Sequence, residues 1–414
     1  MENIIKRQSI IKEKIVNKLL LHKDILFILL ISILGFVSRL TLFKATSGDF
    51  NIFLHPWYVT IKHYGFNVLS HQVGNYGILY QFIILLMTYI PIRDLYAYKM
   101  VSIIFDYILA VAAALLACEF STSKNKASTF LLCYSSVLLL PTLILNSAWW
   151  AQCDSIYSTF LCISLLFLFR ERYALSFIFY GLAFAFKLQA VFLLPFFVLL
   201  YFIKKRIFIS HYFLALLAFW ITGLPGYLYG RNLFSLFWIY WKGQITIQNT
   251  VHKEYFNLSC IFGNPNLIYS KWLADFLLVL MVSILLIGFF VFINEQIFNN
   301  FQLFLLAIWT FYTCMMFMPY LQQRYGYVLD ILLIVISFIR KEYIMITIPE
   351  LILSFVSYMP ALFIPKLFIN NNNIPFMITL SCIALLLYSA FTYLIFCKKE
   401  NLGSSLKEVN EIKE

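Results

Sequence analysis

The chain has 414 residues, 62% of them hydrophobic and only 12% charged, with a formal net charge of +12. A soluble domain carries about a quarter of its residues as charges, so a soluble fold is excluded. The positive charge is therefore read by where Lys and Arg fall along the chain, and no nucleic-acid partner is expected.

Segment 1–23 is polar and basic, through Lys6, Arg7, Lys12, Lys14, Lys18 and Lys23, and no small-residue cleavage site follows it. It is expected to remain as a cytoplasmic segment ahead of a retained first helix at about 24–43. Residues 44–98 form a long mixed stretch, a first outer loop, whose one apolar run at 78–91 has 14 residues. That is short for a crossing and suits an interfacial or re-entrant helix. With 78–91 left out, crossings are predicted at about 99–118, 128–146, 155–169, 174–188, 190–203, 211–229, 272–292, 301–318, 326–339, 346–365 and 376–396. With the first, these make about twelve transmembrane helices in one domain over 24–397, broken by a second large outer segment at 230–271. The count keeps Arg170, Arg172, Lys204, Lys205, Arg206, Arg340 and Lys341 inside; a crossing at 78–91 puts them outside. The tail 398–414 carries both signs of charge and is expected to be cytoplasmic and disordered. The expected fold class is an all-α polytopic membrane protein. Short loops without a targeting signal favour a bacterial plasma membrane. The eight cysteines occur singly, with no metal spacing or disulfide framework.

The polar stretch Ser147-Ala-Trp-Trp-Ala-Gln-Cys-Asp154-Ser-Ile-Tyr157 sits between two apolar runs and is placed at the outer surface. Trp149 and Trp150 fit interface anchors as well as a stacking wall for a sugar ring. Asp154 starts a helix and fits a capping residue. Asp49, in Thr46-Ser-Gly-Asp-Phe, follows the first helix and falls on the same side, where a surface turn is the plainer reading. Together the two carboxylates suit the removal of a proton from an acceptor hydroxyl. They also raise the question of a divalent cation, although no cofactor is otherwise indicated. Asp106 lies inside an apolar run and reads as a tie between helices or part of a polar cavity. Lys187 and Gln189 mark a hairpin turn. In Leu321-Gln-Gln-Arg-Tyr325, Arg324 is a positive charge on a side where such charge is sparse, and its donor fork suits a phosphate.

The order and spacing of these motifs resemble the GT-C superfamily of polytopic glycosyltransferases over roughly 25–339. The likeness is to prokaryotic relatives of the second GPI-anchor mannosyltransferase and of lipid-linked-oligosaccharide glucosyltransferases. An acidic residue soon after the first helix is matched by Asp49. A Trp-Gly-Gln-x-Asp-Ser motif is matched by Trp150-Ala-Gln-Cys-Asp-Ser155, and a Phe-Lys-Pro-Gln-Ala segment by Phe186-Lys-Leu-Gln-Ala190. His-Glu-Arg-Tyr aligns with Gln322-Gln-Arg-Tyr325. The departures are Ala151 for Gly, Leu188 for Pro, and Gln322 and Gln323 for His-Glu.

The resemblance implies a GT-C-like bundle and inverting transfer of a hexose, mannose or glucose, from a polyprenyl-phosphate-linked donor outside the cytoplasm. The acceptor is a glycan, a glycolipid or a cell-surface polymer. Asp49 and Asp154 take the catalytic roles. Arg324, Lys187, Gln322 and Gln323 fall at the donor phosphate, and Trp149, Trp150, Gln152, Trp57, His55 and Gln189 at the sugar or acceptor. A lipid-linked-sugar transporter or flippase, or a non-catalytic subunit of glycan assembly, fits the same composition.

Overall fold

A computed structural model describes residues 22–123, 125–239, 255–262, 271–294, 299–363 and 374–397. The basic segment 1–21, the polar stretch 240–254, the residues Gly263 and Pro265 and the Asn-rich stretch 370–373, both expected to turn, and the tail 398–414 fall outside the described residues. All regular structure among the described residues is helical.

Among the described residues, five helices are long and apolar enough to cross a membrane: Asp94–Phe120, Lys271–Asn294, Asn300–Phe317, Lys341–Met359 and Pro375–Phe396. A sixth is obtained if Lys126–Leu138 and Pro141–Trp149, bent by 50° at their junction, count as one span. The protein is thus a multi-pass helical membrane protein with five or six candidate crossings. The twelve-crossing GT-C-like bundle expected from sequence is overturned by this count.

The physical reason is helix length. The apolar runs predicted to cross at 155–169, 174–188 and 211–229 form the helices Asp154–Phe169, Tyr173–Phe186 and Ile209–Ile221, of 16, 14 and 13 residues. At 1.5 Å per residue these reach only about 20–24 Å, against a hydrocarbon layer of about 30 Å. Some of these apolar runs are covered by protein, whereas Ile209–Ile221 leaves Ile209, Phe213, Leu216 and Leu217 exposed. Asp154–Phe169 buries 13 of its 16 residues, and Tyr327–Ile339 buries 11 of 13. The helix Tyr173–Phe186 lies so close to Ile209–Ile221 that a Cβ at Gly181 would stand 2.1 Å from the Ala215 carbonyl oxygen. The first helix, Lys23–Leu40, carries Lys23, Asp24 and Arg39 within its 18 residues, too many charges to be counted with the five. The apolar run at 78–91 forms a 10-residue helix, Ile78–Met87, about 15 Å long.

Buried carboxylates tie these helices together. Asp106 accepts from Arg39 Nε at 2.9 Å and from Ser147 Oγ at 2.6 Å, and Arg39 also donates to the Leu138 carbonyl at 3.0 Å. Asp106 is therefore a tie between helices. Asp330 accepts from Thr142 at 3.2 Å and Ser354 at 2.6 Å. Glu350 accepts from Tyr255 at 3.1 Å and Tyr312 at 2.8 Å. Each removes a charge or a polar pair from contact with lipid.

The two ends of the bundle differ. At one end Arg170 pairs with Glu119 at 2.8 Å, Arg206 with Glu171 at 3.1 Å, and Lys204 reaches Asn300 at 3.0 Å. Arg340 stacks over Phe301 at the same end, beside Lys341. The other end gathers the polar residues singled out from sequence.

Candidate functional site

The site begins where the first helix stops. Lys99, buried in the helix Asp94–Phe120, donates to the carbonyls of Leu42, Phe43 and Ala45 at 2.9, 2.9 and 2.7 Å. These carbonyls belong to the turn that follows the helix Lys23–Leu40, and that of Leu42 also accepts from the Ala45 amide at 3.0 Å. Ser47 then donates to the Trp150 carbonyl at 3.1 Å and accepts from the Phe50 amide at 3.1 Å. Between those two bonds the chain presents Asp49.

Opposite it, Pro141 opens a short helix that widens into a π-turn over Leu145–Trp149. The Trp150 amide closes on the Leu145 carbonyl at 2.9 Å and the Gln152 amide on the Asn146 carbonyl at 3.0 Å. Ala151, at φ 60°, reverses the chain between them. The side chains of Trp150 and Gln152 both reach Asp49.

Asp49 Oδ2 takes three donors: Trp150 Nε1 at 2.9 Å, Gln152 Nε2 at 2.9 Å and Arg324 Nη1 at 2.7 Å. Its Oδ1 has no hydrogen-bond partner among the described residues, and the side chain is 31% exposed. Arg324 also stacks over Trp150 at 5.3 Å, and its Nε is buried without a partner. Burial pulls its guanidinium down, but the carboxylates of Asp49 and Asp154 more than reverse this, so the group is held above its ordinary range.

Asp154 is fully buried and fully engaged. Lys187 Nζ donates to Oδ1 at 2.5 Å and Asn146 Nδ2 to Oδ2 at 2.8 Å. Tyr76 joins the two carboxylate centres. Its hydroxyl donates to Gln152 Oε1 at 3.0 Å, and Lys187 Nζ lies 5.3 Å from its ring. Burial, with Cys153 close by, pushes the Tyr76 hydroxyl well above the ordinary tyrosine range, so it stays a donor.

The structure thus brings Asp49, Trp150, Gln152, Asp154, Lys187 and Arg324 into one connected network. Lys187 is committed to Asp154 and is 3% exposed. Gln322 and Gln323 adjoin Arg324, and each has a buried carbonyl oxygen without a partner. Trp57 packs edge-on against Tyr76 at 5.5 Å. Trp149 packs instead on Phe363 at 4.8 Å. His55 pairs with Asp94 at 2.5 Å, beside Lys62 and Arg93. Gln189 is buried in the turn after Lys187. Neither carboxylate suits a divalent cation: an arginine takes one oxygen of Asp49, and a lysine and an amide take both of Asp154. Among the described residues no group of three or more His, Cys, Asp or Glu could hold a metal.

Sequence reasoning passed over Tyr76 and Asn146. The signal for Tyr76 was its place in Gly74-Asn-Tyr-Gly77, where two glycines hold a lone aromatic in a polar loop. The signal for Asn146 was an amide at the end of an apolar run. Comparison of the chain with protein-family models and with curated proteins finds no match to either.

Proposed function

We propose that the protein transfers a hexose from a polyprenyl-phosphate-linked donor to a hydroxyl of a glycan, glycolipid or polymer acceptor, with inversion at the anomeric carbon. The observation that carries this reading is the division of labour on Asp49. Three donors fix Oδ2 and orient the carboxylate, while Oδ1 is left to accept a proton. The acceptor oxygen attacks the anomeric carbon and its proton passes to Asp49 Oδ1. The bond from that carbon to the phosphate oxygen breaks, and its electron pair leaves with the phosphate. Arg324, which stays charged, stabilises the negative charge that develops there. The Asp154–Lys187 pair sits behind this surface and positions Tyr76 and Gln152, which in turn hold Asp49. Trp150 offers an indole face beside the guanidinium.

The membrane orientation follows from charge. The end carrying Arg170, Arg172, Lys204, Lys205, Arg206, Arg340 and Lys341 is cytoplasmic, and the Asp49 end faces away from the cytoplasm. A transporter reading draws on Asp106, but that carboxylate is held by Arg39 and Ser147. The test is transfer of labelled hexose from a panel of polyprenyl-phosphate hexoses by purified protein and by Asp49→Asn. Loss of a general base is expected to lower turnover by about 10²–10⁴-fold. A folded Asp49→Asn protein with near-full activity defeats the proposal.

A further inference from the structure

A cavity opens against the loop that carries Tyr76. It measures about 730 Å³ and is lined by Ser70, Asn75, Asn232, Ser235, Trp238 and Ile239 among others. Its wall contains one charged side chain, Arg231, whose hydrogen-bond donors are turned onto neutral oxygens of the protein. Arg231 Nε donates to the Leu69 carbonyl at 2.6 Å, Nη1 to Gln72 Oε1 at 2.8 Å, and Nη2 to Gln81 Oε1 at 2.7 Å and to the His71 carbonyl. Gln72 is engaged as well, since its amide nitrogen donates to the carbonyls of Gly74 and Tyr76. These bonds fix the loop 69–76 against the turn at 230–235 and occupy four of the five N–H donors of the guanidinium.

The groups that remain open have another character. The Ser235 hydroxyl is buried without a partner. Asn232 uses its side-chain oxygen on the Phe234 amide and keeps its NH₂ free among the described residues. Asn75 makes no side-chain hydrogen bond among the described residues, and Trp238 is 56% exposed. An exposed indole face with open amide and hydroxyl groups around it, beside an arginine whose donors are mostly engaged, matches a polyhydroxyl ring.

The cavity is also wired to the reaction surface. Gly74, at φ 75°, lets the loop pass directly under Trp57, where a Cβ would stand 2.6 Å from the ring. Asn75 therefore precedes Tyr76 with no slack, and Tyr76 donates to the Gln152 that holds Asp49.

We propose that this cavity is an acceptor subsite that binds a saccharide unit, stacked on Trp238 and hydrogen-bonded by Asn75, Asn232 and Ser235. It rests on the transferase reading only for the word acceptor; saccharide binding is tested by itself. Saturation-transfer NMR on the protein in nanodiscs, with mannotriose, maltotriose and galactotriose, is the direct probe. At least one trisaccharide is expected to saturate, with Trp238→Ala and Asn75→Ala each weakening binding tenfold or more and Ser235→Ala weakening it less. In transfer assays the same variants are expected to raise KM for acceptor and leave kcat within twofold. No saturation by any of the three, or binding unchanged in Trp238→Ala and Asn75→Ala, overturns the subsite. So does displacement of saccharide by inorganic phosphate at equal concentration. Saccharide binding that depends on Trp238 in a protein that transfers no hexose sustains the subsite and sinks the transferase reading. Transfer that is lost in Asp49→Asn but has unchanged acceptor KM in Trp238→Ala does the reverse.

Discussion

Ala151 lies in the left-handed region that favours glycine, between the two side chains that grip Asp49. Holding a Cβ there costs about 1–2 kcal/mol. Ala151→Gly is therefore expected to raise stability by about 1 kcal/mol, read as a higher unfolding midpoint in detergent; a lower midpoint rejects the strain. Tyr76 yields a second expectation. Its hydroxyl bond to Gln152 is worth about 1 kcal/mol, the penalty expected for Tyr76→Phe at neutral pH. Burial raises the folded-state pKa above the unfolded value of 10.0, so the unfolded chain loses this proton first as pH rises. The contribution is complete below pH 10 and declines above it. The stability gap between wild type and Tyr76→Phe should narrow above that pH, and a gap that widens contradicts the assignment. Asp49 and Arg324 are legible in sequence as polar groups in an apolar chain. That one guanidinium contacts Asp49 is not legible, because 275 residues separate them.

The segment that delivers Asp49 is set by Lys99 and not by its own sequence. A buried ammonium holding three carbonyls closes the first helix and fixes the direction in which the chain leaves it. Lys99→Met keeps the length and removes the donors. The Phe43 and Ala45 carbonyls lose their donor, at a cost of about 1–3 kcal/mol each, while Leu42 keeps the Ala45 amide; this variant is expected to lower both the unfolding midpoint and the turnover. A variant as stable as wild type removes the lysine's role. The helices themselves divide in the same way. Runs such as 272–292 and 376–396 read correctly as long helices because their faces are mostly open to lipid. Runs such as 155–169 and 326–339 read as crossings for the wrong reason. Hydropathy reports that a side chain avoids water and does not distinguish lipid from protein as its surroundings.

That clustered Lys and Arg share one end of the bundle was legible in sequence; which side of the membrane that end faces belongs to the proposal. On the orientation proposed above, single cysteines at His63 and Arg172, both exposed, should label from opposite sides of the membrane in a background without other reactive cysteines. Labelling of both from one side rejects the orientation. The convergence on Asp49 has a further consequence, for biogenesis. The carboxylate belongs to the first part of the chain to be made, two of its donors follow about a hundred residues later, and the third comes only at Arg324. A nascent chain that has inserted its first helices therefore holds an unfinished carboxylate, still open to water and without its guanidinium. The centre is completed when the last third of the protein docks, so a chain cut short before Arg324 carries its base but never its counter-charge.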